Sequence, residues 1–207
     1  MISETLPRSF FARLSDAVAR DLIGVHIVVR SNERTIRALI VETEAYGGVD
    51  DPASHAFRGP TPRSEVMFGP AGFLYVYRSY GVHWCVNVVT ETTGVAGAVL
   101  LRGAVIEAMT NEVGSLEPVA HLLRGPGNLT QGLAIDGADN GIDCCARRAR
   151  RVTFQSGTDN VDNVQVGNSP RIGISKGQER RSRYFLVGHR AVSGSRTQNA
   201  VEPQHRS

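Results

Sequence analysis

The hydrophobic pattern at the start of the chain predicts one helix followed by a hairpin. Across residues 9–23, apolar side chains recur at steps of three and four, as on one face of a helix: Phe11, Leu14, Val18 and Leu22. Residues 25–30 and 34–43 are rich in β-branched residues and flank the polar residues 31–33, which predicts two paired strands. We expect the helix to pack against the sheet that these strands begin.

The middle of the chain predicts a second hairpin, a further strand and then helices. Residues 73–80 and 84–90 flank Gly81 and are rich in aromatic and β-branched residues, and residues 96–102 form a third apolar run. Helical patterns follow in three segments: residues 104–113, 117–123 and 128–135. Short strands are predicted in three further segments: residues 151–154, 171–174 and 183–187.

The mixture of helices and strands predicts an α+β fold, a single domain with a largely antiparallel sheet, and 207 residues are a usual size for one domain. Residues 47–72 are rich in Gly, Pro, Asp and Arg, and such a long connection in a compact domain is typical of a functional loop. The chain from residue 189 onward lacks the apolar content of a folded segment. We therefore place the domain at residues 1–190 and predict a disordered tail at residues 191–207.

Composition and charge narrow the class of protein without identifying it. No apolar run approaches the roughly 20 residues that span a bilayer, and the amino terminus lacks a secretory signal, so we expect a cytoplasmic protein. The net charge of +3 permits nucleic-acid binding but does not require it. Cys85, Cys144 and Cys145 have neither zinc-site nor disulfide spacing, and we interpret them as reduced thiols.

Arginine supplies nearly all of the positive charge. Lys176 is the one lysine among 23 basic residues, so it is the one side-chain amine available for Schiff-base chemistry. The basic clusters at residues 147–151 and 180–183 either contact phosphates or form solvated surfaces, and the pattern favours neither interpretation. An arginine-rich genome explains the composition at least as well as nucleic-acid binding does.

Glu42, Glu44 and Tyr46 end the second predicted strand beside the long loop. Alternation along a strand points these three side chains to the same side. Partly buried near Glu42, Glu44 would have the raised basicity that a general base needs to take a proton from water. The alternative is a surface acidic pair at an edge strand, and the pattern alone favours that alternative.

Three of the five tyrosines lie within the second predicted hairpin. Tyr75 and Tyr77 share one face of a strand; we favour core packing for Tyr75, whereas core packing and a site role are balanced for Tyr77. Tyr80 precedes Gly81, where a tight turn pushes the ring outward. An exposed ring at that point can fill the gap that an extruded nucleotide leaves in a base stack.

Three more polar residues are candidates for a site. Asn87, an amide inside an apolar strand, either shapes a pocket or makes a backbone hydrogen bond, and the second is commoner. Arg102 ends the third strand and approaches Glu44 if the strands are neighbours. His55 is a metal ligand together with residues 50–51, a hydrogen-bonding group in a site, or a plain loop histidine. The lack of a second histidine or cysteine makes metal binding the weakest of these.

Together these motifs resemble the alkyladenine (3-methyladenine) DNA glycosylase family of the mammalian type, in a short form of bacterial appearance. The matching motifs are, in order, Val41-Glu-Thr-Glu-Ala-Tyr46, Asp51-Pro-Ala-Ser-His55, Met67-Phe68, Leu74-Tyr-Val-Tyr77, Tyr80-Gly81, Cys85-Val-Asn87 and Leu100-Leu-Arg102. The likeness covers most of residues 8–193. Residues 78–79, 82–84 and 147–151 depart from the family pattern, which leaves the preferred lesion open.

The resemblance implies a fold and a set of roles. It implies a curved antiparallel sheet flanked by helices, with a protruding hairpin that enters the DNA minor groove. Glu44 is implied to be the general base that activates the attacking water, and Arg102 the residue that positions it. Tyr80 is implied to intercalate, and Asn87 to be a steric gate against normal guanine. Three residues are implied to wall the base pocket: Tyr46, His55 and Tyr77.

The implied activity is base-excision repair of double-stranded DNA that contains an alkylated or deaminated purine: 3-methyladenine, 7-methylguanine, hypoxanthine or ethenoadenine. The enzyme flips the base out and hydrolyses the N-glycosidic bond, and we expect a monomer at the bacterial nucleoid that needs no cofactor or metal. Water is the nucleophile, so we expect no strand-cleaving lyase step. Two rivals stay open: a non-catalytic nucleic-acid-binding module, and a metal-dependent phosphoesterase built on residues 50–51 and His55.

Overall fold

An antiparallel sheet of nine strands organises the part of the chain that the structure, a computed structural model, describes: residues 4–110, 116–146, 151–157 and 165–200. The strands are β1 (His26–Arg30), β2 (Thr35–Tyr46), β3 (Leu74–Ser79), β4 (His83–Val89), β5 (Ala98–Thr110), β6 (Leu116–Arg124), β7 (Val152–Gln155), β8 (Val166–Ser169) and β9 (Arg183–Leu186). The helices are α1 (Arg8–Phe11), α2 (Ser15–Asp21) and α3 (Pro126–Gly132), with 3-10 turns at Glu65–Phe68 and Gly137–Asp139.

The strands follow the order β3-β4-β5-β2-β1-β7, while β6 pairs with β5, and β9 pairs with β2 and β8. Strands β2 and β5 are 12 and 13 residues long and pair with each other. On its other side, β2 pairs first with β1 and then with β9, and β5 pairs first with β4 and then with β6. Register shifts interrupt the pairing of β2 with β5, and such bulges bend a strand and increase its twist. The sheet therefore curls, which confirms the predicted single α+β domain with a curved antiparallel sheet.

A bulge in β2 decides which side chains face the core. Before it, Ile36, Ala38 and Ile40 pack in the main core. The register shift between Ile40 and Glu42 changes the alternation, so that Thr43 and Ala45 face α2 and the core instead. The even-numbered residues that follow lie on the opposite face, which puts these three on the same side, as predicted: Glu42, Glu44 and Tyr46.

On that opposite face, directly paired residues form a row across five strands. Tyr75 pairs with Asn87, Asn87 with Leu100, Leu100 with Glu44, and Glu44 with Arg183. Paired residues in an antiparallel sheet point to the same side. The sheet thus gathers residues from distant parts of the sequence around Glu44.

Two predicted helices are wrong. Residues 104–110 continue β5, and residues 117–123 belong to β6, which pairs with β5; residues 111–113 lie outside the described part of the chain. Ala, Glu and Met in these segments favour helix, but pairing with β2 and β6 overrides that local preference. Pro118 lacks the backbone N–H that a helix interior or a central strand needs. An edge strand tolerates it, because one side of such a strand forms no ladder.

Three smaller differences concern element bounds. The helix predicted over residues 9–23 is two helices, α1 and α2, and Leu14 between them is 71% exposed, although Phe11, Val18 and Leu22 are buried as predicted. The third predicted helix is confirmed as α3. Residues 171–174 are not a strand; β8 precedes them instead.

The start of the predicted tail is packed. Ala191, Val192 and Ser193 are buried, and the described chain extends to residue 200; residues 201–207 and 147–150 lie outside the described part. The burial arises because Ala191 and Val192 pack in one cluster with Val41 of β2 and Phe185 of β9, and the backbone N–H of Ser193 donates to Glu42. Cys85, Cys144 and Cys145 are not in disulfides, as predicted. Within the described ranges, no helix has the length and apolar character to cross a membrane.

Candidate active site

The face of the sheet that carries the row from Tyr75 to Arg183 is called the polar face. Glu44 lies on this face and is fully buried. Its Oε2 accepts hydrogen bonds from the Tyr46 hydroxyl at 2.8 Å and from Nη1 of Arg102 at 3.3 Å. Its Oε1 accepts a hydrogen bond from the backbone N–H of Ile172 at 2.7 Å. A carboxylate has about four lone-pair sites, so one site is left for a further donor such as water.

Burial raises the pKa of Glu44, and this effect outweighs the Arg102 charge and the hydrogen bonds from Ile172 and Tyr46, which lower it. Removal of a carboxylate from water disfavours its charged form. A carboxylate with a raised pKa is a stronger base than an exposed one. The environment of Glu44 therefore suits proton abstraction from water, and its burial contradicts the surface acidic pair that the pattern alone favours.

Arg102 connects Glu44 to a second buried carboxylate. Its Nε donates to Oε1 of Glu42 at 3.1 Å, while its Nη1 reaches Glu44. The side chain is nearly buried, and both carboxylates are fully buried. One guanidinium fork thus fixes the relative positions of two acids, which fits the positioning role that the resemblance implies for Arg102.

His55, Tyr75 and Tyr77 form an aromatic cluster beside this centre. The Nδ1 atom of His55 lies 2.8 Å from the Tyr75 hydroxyl, and the His55 and Tyr77 rings meet edge to face with centroids 4.6 Å apart. Burial, with the nearby charge of Arg63, lowers the pKa of His55 to about 4. His55 is therefore neutral at physiological pH. Tyr75 is 2% exposed, which confirms its predicted core packing.

A cavity of about 430 Å³ opens next to this cluster. Its lining includes three of the predicted site residues, His55, Tyr77 and Tyr80, together with Arg63 and Lys176. Residues 173–175 form part of the lining as well. Glu44 and Arg102 are buried and do not belong to the lining of this cavity.

The β3–β4 hairpin carries Tyr80 at its tip. Tyr80 and Gly81 have φ values of 48° and 70°, and the N–H of Val82 donates to the carbonyl of Ser79 at 2.9 Å. Positive φ at both central residues matches a type I′ turn, whose twist suits a hairpin. The Tyr80 side chain is 91% exposed, so the turn presents it to solvent as predicted.

Asn87 is buried in β4, and its Nδ2 donates to the Tyr75 carbonyl at 3.0 Å. The backbone hydrogen bond is therefore the one of its two predicted roles that the structure displays. Its place in the row with Glu44 keeps it on the polar face. The role of a gate against guanine stays a prediction.

Sequence reasoning missed Arg171. Its guanidinium donates to both oxygens of Asp51, at 2.6 and 2.8 Å, and lies 4.6 Å from the centroid of the Tyr46 ring. Arg171 therefore fixes the start of the long loop and supports Tyr46 through a cation–π contact. A local pattern gives no signal for this pair, because 120 residues separate its members.

The contacts of Asp51 and His55 bear on the metal-site alternative. Asp51 is bonded to Arg171, and His55 to Tyr75, so each has a partner other than a metal. In the described part of the chain, no group of three or more His, Cys, Asp or Glu residues is placed to hold a metal ion.

Comparison with known proteins identifies the family. The sequence model of the methylpurine-DNA glycosylase family matches residues 9–190. The chain belongs to this family. It is therefore a member of a family of DNA glycosylases, which are hydrolases of DNA repair.

Several proteins provisionally named 3-methyladenine DNA glycosylase are similar to this family member over most of their length. The protein of Frankia casuarinae is 43% identical over 197 residues, 90% of this chain and 91% of its own. That of Rhodopseudomonas palustris strain BisB5 is 45% identical over 196 residues, 91% of this chain and 89% of its own. That of Mycolicibacterium fortuitum is 44% identical over 189 residues, 86% and 92% of the two chains.

Proposed function

We propose that this glycosylase removes alkylated or deaminated purines from duplex DNA by water attack, with Glu44 as the general base. Water attacks C1′ of the flipped nucleotide, the C1′–N9 bond breaks, and the purine leaves with the bonding electrons. Glu44 takes a proton from the water, and its negative charge stabilises the developing oxocarbenium ion. The product is an abasic site.

The observation that carries this proposal is the burial of Glu44. Its carboxylate accepts three hydrogen bonds, which leaves one lone-pair site for water. Burial raises its pKa, and general-base catalysis contributes about 10²–10⁴-fold to a rate. Arg102 holds the carboxylate in place at the same time. A carboxylate with only a structural role would be better stabilised by neutralisation or by full pairing.

The aromatic cavity supports a role in base binding. Its volume of about 430 Å³ and its His55 and Tyr77 walls suit a planar purine, and Tyr46 lies on the same face of the sheet. The Tyr46 hydroxyl donates to Oε2 of Glu44, so a flipped purine that displaces the Tyr46 ring would expose the carboxylate. The proposal therefore assigns base contact to Tyr46, His55 and Tyr77, with Asn87 as the gate.

The hairpin supports DNA entry. The Tyr80 side chain is exposed and also lines the cavity. We propose that it enters from the minor groove and fills the gap that the flipped nucleotide leaves in the base stack. The reaction needs water alone, with no cofactor and no lysine adduct. The chain would act as a monomer on the DNA of the nucleoid, and the lesions are those of 3-methyladenine type together with hypoxanthine and ethenoadenine.

The test uses duplexes that each contain one candidate lesion, followed by alkaline cleavage at abasic sites. We expect purine release by the unmodified chain, with or without excess EDTA. Glu44→Gln should bind the lesion duplex as tightly as the unmodified chain while release falls at least about 100-fold. Glu33→Gln, an exposed glutamate in the β1–β2 turn, is the matched control and should keep full activity.

Unchanged release by Glu44→Gln would falsify the assignment of the base. Duplex binding without release of any lesion would favour the non-catalytic module. Loss of activity in EDTA would favour the metal-dependent phosphoesterase.

A further inference from the structure

A largely buried charge network surrounds Glu42, two residues before the proposed base. Oε1 of Glu42 accepts hydrogen bonds from Nε of Arg102, Nε of Arg183 and Oγ of Ser193, at 3.1, 2.7 and 2.8 Å. Its Oε2 accepts the backbone N–H of Ser193 at 2.6 Å. Burial acts to raise the pKa of Glu42, but the charges of Arg102 and Arg183 with the Ser193 hydrogen bond lower it overall. These contacts therefore favour the anionic form of Glu42 at the centre of the network.

Residues 191–199, which we call the strap, complete the network. The Ser193 hydroxyl lies between Glu42 and Nη2 of Arg102, at 2.8 and 3.2 Å. Arg183 donates from Nη2 to the Ser193 carbonyl at 2.9 Å and to Oδ1 of Asn199 at 2.8 Å. The match to the family model ends at residue 190, directly before the strap.

Gly103 in β5 makes room for the strap. A Cβ atom at this position would lie 2.7 Å from the carbonyl oxygen of Ala191 and 3.2 Å from Cβ of Glu42. The first distance is far below van der Waals contact with a backbone atom. The strap backbone and Glu42 therefore close on β5 only because residue 103 has no side chain.

Resting on the proposed function, we propose that Ser193 and Asn199 of the strap are positioning residues for catalysis, because they hold Arg102 against Glu44. The three nitrogens of the Arg102 fork are shared among Glu42, Glu44 and Ser193. Without the Ser193 hydroxyl, Nη2 loses its acceptor and Glu42 loses a donor. The fork is then free to turn about its Glu42 contact, and its Nη1 leaves Glu44.

This role changes the proton affinity of Glu44, which a purely structural role would not do. The titratable and charged groups that act on Glu44 are Glu42 and Tyr46 of β2, Cys85 of β4, Arg102 of β5 and Arg171 of the loop after β8. Arg183 of β9 pairs with Glu44 in register and donates to Glu42. Arg102 has the largest lowering effect on the pKa of Glu44. When Arg102 moves away, that pKa rises further, so the acid limb of the rate moves to higher pH.

The experiment measures single-turnover purine release against pH, duplex affinity and thermal unfolding for three variants of the full chain. Ser193→Ala should slow release about tenfold, because hydrogen bonds to charged groups are strong, and should move the acid limb to higher pH. Asn199→Ala, one contact further away, should show the same changes at about threefold. Thr197→Ala, an exposed strap residue, is the control and should match the unmodified chain.

Each outcome has one meaning. Full release by Ser193→Ala with an unmoved acid limb overturns the positioning role and leaves the proposed function intact. Slower release that follows a fall in unfolding temperature, without a shift of the acid limb, assigns the strap to stability alone and also overturns it. An unmodified chain that releases no purine from any lesion duplex overturns both proposals.

Discussion

The Tyr46 hydroxyl donates a 2.8 Å hydrogen bond to Oε2 of Glu44, two residues earlier on the same strand. The same oxygen accepts the Arg102 fork. Strand alternation places the two side chains side by side, and burial keeps water from replacing either donor. The proposed base is thus held by a residue that is itself a proposed wall of the base pocket.

Tyr46→Phe removes this donor and keeps the ring. Because the Tyr46 hydrogen bond lowers the pKa of Glu44, its loss should raise that pKa and move the acid limb of purine release to higher pH. Tyr184→Phe is the matched control, since its hydroxyl also donates to a carboxylate, that of Asp16, away from the site. Superimposable pH profiles for the two variants would contradict this prediction.

His55 should not contribute to the acid limb. Burial lowers the pKa of His55 from its ordinary value of 6.5 to about 4. The imidazole is therefore neutral through pH 5–8. His55→Gln should weaken lesion binding about tenfold through lost packing and hydrogen bonding, while the acid limb stays in place. A pH titration of duplex affinity and release checks both statements. A limb that disappears in His55→Gln would instead assign the titration to the histidine.

Tyr80→Ala should impair base flipping. The exposed ring is positioned to stack in the vacated site, and an aromatic stack contributes about 1–3 kcal/mol, so lesion binding should weaken about tenfold. The fluorescence of an ethenoadenine in the duplex reports the flipped state directly. Val82→Ala, 75% exposed on the same hairpin, is the control and should flip the base normally. Equal flipping in the two variants would remove the role of Tyr80.

Lys176 tests the absence of a lyase step. It lines the proposed base cavity, yet its side chain is exposed, whereas Schiff-base lysines are activated by burial. We expect no adduct when the reaction is quenched with borohydride, intact strands before alkali, and at least about half of full release from Lys176→Ala. A borohydride-trapped adduct that is absent from Lys176→Ala would show that the lysine forms a Schiff base.

Alternation predicts which site residues share a face, but not the β2 bulge that turns this face away from the core. Apolar and polar residues alternate with a period of two, and this pattern can be seen within each short segment. It predicts the two hairpins and the shared face of Glu42, Glu44 and Tyr46. The exposed position of Tyr80 follows from the neighbouring Gly81 in the same way. These are the features for which the necessary physical information is local.

The partners of the buried charges could not be predicted. Glu42 and Arg183 are separated by 141 residues, and Arg183 is one of 22 arginines in the chain. The pairing depends on the β2–β9 register, which no segment contains by itself. For the same reason the sequence predicts a tail at residues 191–193, since their few apolar side chains gain burial only from a surface that the rest of the chain builds.

The tip of the β3–β4 hairpin has a kinetic consequence. The backbone of its own turn holds Tyr80 out of the domain. If Tyr80 intercalates as proposed, the hairpin therefore needs no rearrangement before it meets DNA. The enzyme's search for damage should then be limited by how fast it moves between sites along the duplex. Salt, which weakens phosphate contacts, would set the length of DNA surveyed in each encounter.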